Sequence, residues 1–266
     1  PGIEAHVSMF RTLAFLVLFA AAPAAADTVR VGAAISLKEA LGEVAALYRA
    51  DTGDAVEFSF GSSGQVMAQI RNGADLDVFV SAAAAQMDAL EKAGIVDPAT
   101  RRTVATNTLV LVVPASRNAP ASFAALADRA GGRVATGEPK TVPAGQYARQ
   151  VFAALKLTDA LAPRLVYGTN VRQVLAYVER GEVAAGVVYA TDAKTVGDKV
   201  RVVATAAAGT HEPIVYPGVV VKTTKRPAAA QRFLAYLSSS PQARTAWTAR
   251  GFGPPGEETA TRPAGK

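Results

Sequence analysis

From Thr28 onward the chain alternates short β-branched runs with amphipathic ones, and this rhythm limits the possible fold more than any other feature. TVRVGA reads as a strand, after which Leu37, Leu41, Val44, Leu47 and Tyr48 recur on one face of a helix. AVEFSFG at 55–61 is the next strand, GQVMAQIRNG a short helix ended by Gly73, DVFVSA at 77–82 a buried strand, and AAQMDALEKAG a helix stopped by Gly94. Strands separated by helices in this order build a parallel sheet with helices on its faces. The class is α/β.

A second α/β unit follows. TLVLVVP (108–114) precedes a helix expected around Phe123–Ala130, and then strands RVATG, RLVYG, AAGVVYA and KVRVVAT are separated by helices AGQYARQVFAAL and NVRQVLAYVERG. The β-rich stretch PIVYPGVVVKT and the helices RPAAAQRFLAYLSS and SPQARTAWTARG close the globule. The longest β-rich runs, 108–114 and 213–223, flank the second unit, which suits a discontinuous first lobe with a second lobe inserted between two crossing strands. The expected division is 27–108 with 210–253 for lobe I, 109–209 for lobe II, and a Pro/Gly-rich disordered tail over 254–266.

Residues 1–26 fall outside that rhythm. Arg11, the apolar run Leu13–Ala22 and the small residues Ala24-Ala25-Ala26 read as a secretory signal cut after Ala26, with residues 1–8, ahead of Met9, as either upstream read-through or a cloning scar. Its loss removes one Glu and one Arg, so the formal charge stays at +6. The expected destination is the periplasm.

Composition removes several classes of function. The cationic residues are scattered, with no basic block interleaved with aromatics, so nucleic acid is not an expected partner. With 0 cysteines there is no disulfide framework, thiol catalysis or thiolate-bound metal. His211 is the one histidine beyond the signal, so a multi-histidine metal site is excluded and a Ser-His-Asp triad would depend on it alone. The serines also lack a G-x-S-x-G elbow, so the chain is not expected to be an enzyme. Met67 and Met87 fit helical core faces, His211 a loop, Asp75 and Asp77 a turn and strand-edge cap, and Asp192 a helix cap.

Four helix starts resemble one another. Ser36 precedes LKEAL, Ser63 precedes GQVMAQI, Pro143-Ala144-Gly145 opens AGQYARQ, and Asn170-Val171 opens VRQVLAYV. In parallel α/β lobes such turns lie at the carboxyl ends of strands, where ligands bind. The first N–H groups of a helix lack intrahelical partners and carry partial positive charge, so several converging ends make an anion site without a basic side chain. Ordinary capping would also explain Ser36, Ser63 and Asn170 taken singly, and Tyr189 taken alone is a core tyrosine.

The ordered set AxSL, FGSSG, DVFVSA, Asn107 before LVLVVP, VPAGQYA, NVRQVLAYVERGE, GVVYATDA and a late YP before a helix pair ending GF resembles the periplasmic molybdate-binding proteins of ABC transporters, over almost all of 28–253. The resemblance implies a type II periplasmic-binding-protein fold whose two lobes close over molybdate or tungstate, with no cofactor, for delivery by a monomer to a membrane permease. It places ligand contacts on Ser36, Ser63, Ala144, Val171 and Tyr189: hydroxyl and N–H from each serine, N–H from Ala144 and Val171, the phenol from Tyr189. These groups would touch the oxygens of the anion and not the metal. The sequence departs from the family pattern at Gly61 and Gly64, where relatives often carry alanine and serine, and at GTNV, where an acidic residue commonly precedes the valine. A receptor for another anion, such as sulfate, is the alternative.

Overall fold

A computed structural model describes residue 2, residues 26–115 and residues 120–255. Most of the signal sequence, and the tail from 256, lie outside the described residues.

Two five-stranded sheets divide the chain. The first has the order β2-β1-β3-β10-β4, built from β1 (Thr28–Ala34), β2 (Ala55–Gly61), β3 (Val78–Val80), β4 (Val96–Thr106) and β10 (Val215–Val221). β1, β2 and β3 run parallel, while β10 lies antiparallel between β3 and β4. The second has the order β7-β6-β8-β5-β9, from β5 (Leu109–Pro114), β6 (Val134–Gly137), β7 (Leu165–Gly168), β8 (Ala185–Tyr189) and β9 (Val200–Thr205). Here β6, β7 and β8 are parallel and β5 is antiparallel to both its neighbours. The chain passes between sheets at residues 107–108 and again at 206–214. This is an α/β fold of two lobes.

Each parallel strand delivers a helix, as the apolar periodicity requires. α1 (Lys38–Thr52) buries Leu41, Val44 and Tyr48, with Leu47 packed at the edge of the same core. α2 (Ser63–Arg71) and α3 (Ala84–Lys92) place Val66, Ile70, Met87 and Leu90 in a separate cluster against Phe79, Val219 and Val221. The second lobe carries α4 (Pro143–Ala154), the single turn α5 (Thr158–Leu161), α6 (Val171–Glu179) and α7 (Ala190–Lys194). α8 (Pro227–Ser239) and α9 (Pro241–Ala249) pack on the first lobe through Phe233, Leu237 and Trp247. Full burial of side chains of this size is worth about 1.5–3 kcal/mol each, so these contacts can fix the helix pair.

Two elements differ from expectation. β4 was not apparent in the sequence, because VDPATRRTVAT mixes charge and proline with few apolar residues. It is an edge strand whose one neighbouring strand among the described residues is β10, with an added bridge from Thr106 to Gly253, and at such an edge Pro98 and outward charges are tolerated. The helix expected around Phe123–Ala130 is instead two 3₁₀ turns, Ala124–Ala127 and Arg129–Gly131. Asp128 accepts a hydrogen bond from the Ala130 N–H, and Arg164 donates to Gly132 O and Leu126 O, so local partners replace the α ladder.

Asp77 is more than a strand-edge cap. Fully buried, its carboxylate accepts from the Arg30 N–H at 2.7 Å, Arg226 Nε at 3.0 Å and the Thr224 hydroxyl, tying β1 to the approach to α8.

Candidate functional site

Four predicted site residues, Ser36, Ser63, Ala144 and Val171, lie just beyond strand ends, and Tyr189 is the last residue of β8. The structure brings all five to the lining of one pocket between the lobes.

On the first lobe, β1 runs into a 3₁₀ turn, Ile35–Leu37, so Ser36 sits one turn ahead of α1 and does not cap it. Its Oγ is 3.3 Å from the Tyr216 hydroxyl. At the end of β2 the cap is Ser62: its side chain accepts from the Gln65 N–H while Gln65 Oε1 accepts the Ser62 N–H, a closed capping box. Capping is therefore done by the serine the sequence reading passed over. Ser63 is the first residue of α2, with its N–H free of intrahelical partners and its Oγ accepting from the buried Ala82 N–H at 2.9 Å.

On the second lobe, α4 opens with Pro143, so Ala144 presents an N–H in the first turn. The glycine after it is required by contact: a Cβ on Gly145 would stand 2.0 Å from Gly137 O, so only glycine lets the start of α4 press onto the end of β6. Asn170 caps α6 by accepting from the Gln173 N–H, which leaves Val171 as the first helical residue. An acidic residue, expected there from the family resemblance, would cap equally well; an asparagine does so without charge.

Tyr189 is buried, and burial drives its ionisation well above the ordinary phenol range. Its hydroxyl donates to Ala82 O of the first lobe at 3.4 Å. Having a single hydrogen, it would exchange that bond to serve an anion.

The cavity between these walls is about 10 Å³, on the scale of a single water. No charged side chain is among the lining residues described. The positive field comes from α2, α4 and α6, whose amino ends each carry roughly half an elementary charge.

Arg172, which follows Val171 in the chain, is engaged elsewhere. Its NH1 and NH2 meet Glu39 of α1 at 3.1 and 2.6 Å, a forked ion pair across the lobes, and its Nε meets Asp192 at 2.6 Å. Asp192, expected only as a cap, is wholly buried and has Oδ2 without a hydrogen-bond partner. Burial pushes its carboxyl up to about 6 despite Arg172. Burial also raises Glu39, but the Arg172 hydrogen bond and charge outweigh it and hold that carboxyl below its usual range. Arg172, Glu39, Lys194 and Arg250 line a wider opening that shares Ser36 with the inner pocket.

A further tie between lobes joins the Gly64 N–H to Thr141 O at 2.9 Å. His211 stacks edge-on against Tyr147, and no hydrogen bond among the described residues joins it to either serine, so the constellation for a serine nucleophile is not assembled.

Sequence reasoning missed the roles of Ser62, Ala82, Asn107 and Tyr216. The last two stood inside the quoted motifs, but their use depends on contacts between residues 84 to 180 positions apart. The capping box S-S-G-Q was readable from spacing.

The model of the bacterial extracellular solute-binding protein family matches residues 29–253. A Bacillus subtilis protein named as an ABC transporter substrate-binding lipoprotein, YvgL, is 42% identical, covering 80% of this chain and 81% of its own. The molybdate-binding protein ModA of Haemophilus influenzae is 38% identical over 81% of this chain and 86% of its own. Among solved structures, the periplasmic molybdate-binding protein of Azotobacter vinelandii aligns with a TM-score of 0.73 and 29% identity, covering 86% of this chain and 100% of that one. Matched across nearly all of both lobes, the chain belongs to the bacterial extracellular solute-binding protein family.

Proposed function

We propose that this chain is a periplasmic receptor that captures molybdate, and tungstate with it, and delivers the anion to the permease of an ABC transporter. The observation that carries this reading is the convergence of Ser36, Ser63, Ala144, Val171 and Tyr189, drawn from both lobes, on one small uncharged pocket. Relatives named for molybdate binding support it. The protein works as a monomer, without catalysis or a cofactor, after export by the signal in residues 1–26.

A fully deprotonated tetrahedral dianion has only acceptor oxygens, so a lining of donors satisfies it. Charge-assisted hydrogen bonds contribute roughly 1.5–3 kcal/mol each, so about seven donors give about 10–20 kcal/mol before desolvation and ordering costs. Micromolar to nanomolar affinity needs about 8–12 kcal/mol. A protonated anion such as hydrogenphosphate would bury an O–H with no acceptor, at about 1–3 kcal/mol. Sulfate is smaller, and a rigid pocket closing on the larger ions would hold it loosely.

The lobes, 27–108 with 210–253 and 109–209, move about the two crossings. Ligand contacts to both lobes shift the population toward the closed form, which the permease recognises. Isothermal titration of residues 27–266, stripped of ligand, with molybdate, tungstate, sulfate and phosphate tests the proposal. One-to-one binding of the first two at micromolar affinity or better, with the others far weaker, is expected. Tightest binding of sulfate, or no binding of any of the four, overturns it.

A further inference from the structure

Behind Ser36 lies a chain of hydrogen bonds whose direction can be deduced. Asn107 sits at the first crossing, between β4 and β5. Its Oδ1 accepts the Thr108 N–H at 2.8 Å, and since an N–H can only donate, this fixes which way the amide is turned. Nδ2 therefore faces the other way and donates to the Tyr216 hydroxyl at 3.0 Å and to Thr191 Oγ1 at 2.9 Å. Tyr216 is fully buried, and burial holds its phenol protonated. With its oxygen receiving a hydrogen from Asn107, Tyr216 has one hydrogen to give, and its other partner is Ser36 Oγ. Ser36 is then an acceptor on the protein side. Its own hydrogen is left for the pocket it lines.

We infer that Asn107 and Tyr216 are positioning residues that set the hydrogen-bond polarity of Ser36, holding its hydroxyl as a donor toward the anion and so excluding protonated oxyanions. The Ala82 N–H imposes the same polarity on Ser63 directly. The inference rests on the oxyanion reading of the pocket, and it assigns specificity to residues that do not line it.

Two substitutions act on the relay in opposite ways. In Asn107→Asp the carboxylate can only accept, so Tyr216 donates to it, Ser36 donates to Tyr216, and the pocket loses a donor. In Tyr216→Phe the Ser36 oxygen is released and can accept from an O–H of the ligand. Titration with molybdate and with phosphate, the latter by displacement of molybdate, reads both. Asn107→Asp is expected to weaken molybdate roughly 10–100-fold. Tyr216→Phe should weaken it less than about tenfold while lowering the molybdate-to-phosphate preference by about tenfold or more. Placed in the Tyr216→Phe background, Asn107→Asp should cost under about threefold, because the relay is already cut.

An equal cost of Asn107→Asp in both backgrounds would mean plain charge repulsion and would overturn the relay, as would an unchanged preference in Tyr216→Phe. Should Asn107→Asp not fold, Asn107→Ala removes the donor without charge; it should cost an intermediate amount, and unchanged affinity counts against the relay. Nuclear magnetic resonance of the ligand-free protein separates this from the functional reading. The Asn107 side-chain amide resonances should move in Tyr216→Phe; if they stay put, the relay is absent whatever the pocket binds. Wild-type protein that ignores all four anions defeats the oxyanion reading and the specificity drawn from it, and leaves the amide resonances as the test of the hydrogen-bond chain itself.

Discussion

Gly64→Ala puts one methyl group where α2 of the first lobe meets the backbone of the second. The new Cβ would lie 2.5 Å from Thr141 O and 2.6 Å from Thr141 Cα. Both are backbone atoms, so no rotamer change relieves the clash. The lobes must part by roughly 1 Å to restore ordinary contact. That movement breaks the Gly64 N–H bond to Thr141 O, worth about 0.5–1.5 kcal/mol, and misplaces at least one charge-assisted donor from the second lobe, worth about 1.5–3 kcal/mol. The sum, about 2–4.5 kcal/mol, corresponds to binding weakened roughly 30- to 1,600-fold. Alanine is the better helix former by up to about 1 kcal/mol, so the first lobe should not lose stability. Calorimetric titration with molybdate, beside thermal unfolding of the ligand-free variant, checks both halves. A folded variant with wild-type affinity would refute the claim that binding requires this backbone approach.

The serines should separate. Ser36→Ala is expected to weaken oxyanion binding by about 1–3 kcal/mol with little change in melting temperature. Ser63→Ala should lose a similar amount of affinity and also destabilise the fold, because the buried Ala82 N–H is left unpaired; equal melting temperatures for the two variants would contradict this, and wild-type affinity in the double variant would show that the pocket does not use these hydroxyls. Glu39→Gln removes the interlobe fork to Arg172, whose partners are 34% and 23% exposed, so the loss should be about 1 kcal/mol or less and should shrink as salt rises, with anion selectivity unchanged. Asp192 has a folded pKa of about 6, above its unfolded value, so the folded state holds the extra proton: its contribution to stability is present below the unfolded pKa and is lost as pH rises toward and through 6. Asp192→Asn should flatten that decline, by up to about 1.4 kcal/mol per pH unit, in unfolding measured from pH 4 to 7; a profile that keeps its slope would assign the decline to other groups.

Period alone marked out most of the architecture. Strand and helix patterns differ by a factor of nearly two in repeat, so runs such as TVRVGA and NVRQVLAYVERG declare their state before any contact is known. The same local logic marked the helix starts at Ser36, Ser63, Ala144 and Val171, since strand-to-helix turns in a parallel lobe fall at one end of the sheet; ligand contacts at these positions and at Tyr189 were expected only from the family resemblance. Burial, which local sequence does not encode, decided the rest. β4 is a strand because β10 offers it an edge, and its composition would not have chosen that state. Ser62, not Ser63, caps α2 because Ala82 claims the Ser63 oxygen across 19 residues of chain. Asp192 reads as a cap by position, yet its place in the interior beside Arg172 and Glu39 makes it part of an ion-paired seam between lobes. Donor and acceptor types are properties of residues, but the direction in which each hydrogen points at Ser36 is fixed only when Asn107 and Tyr216 fold against it, because a hydroxyl rotates until its neighbours leave it one choice.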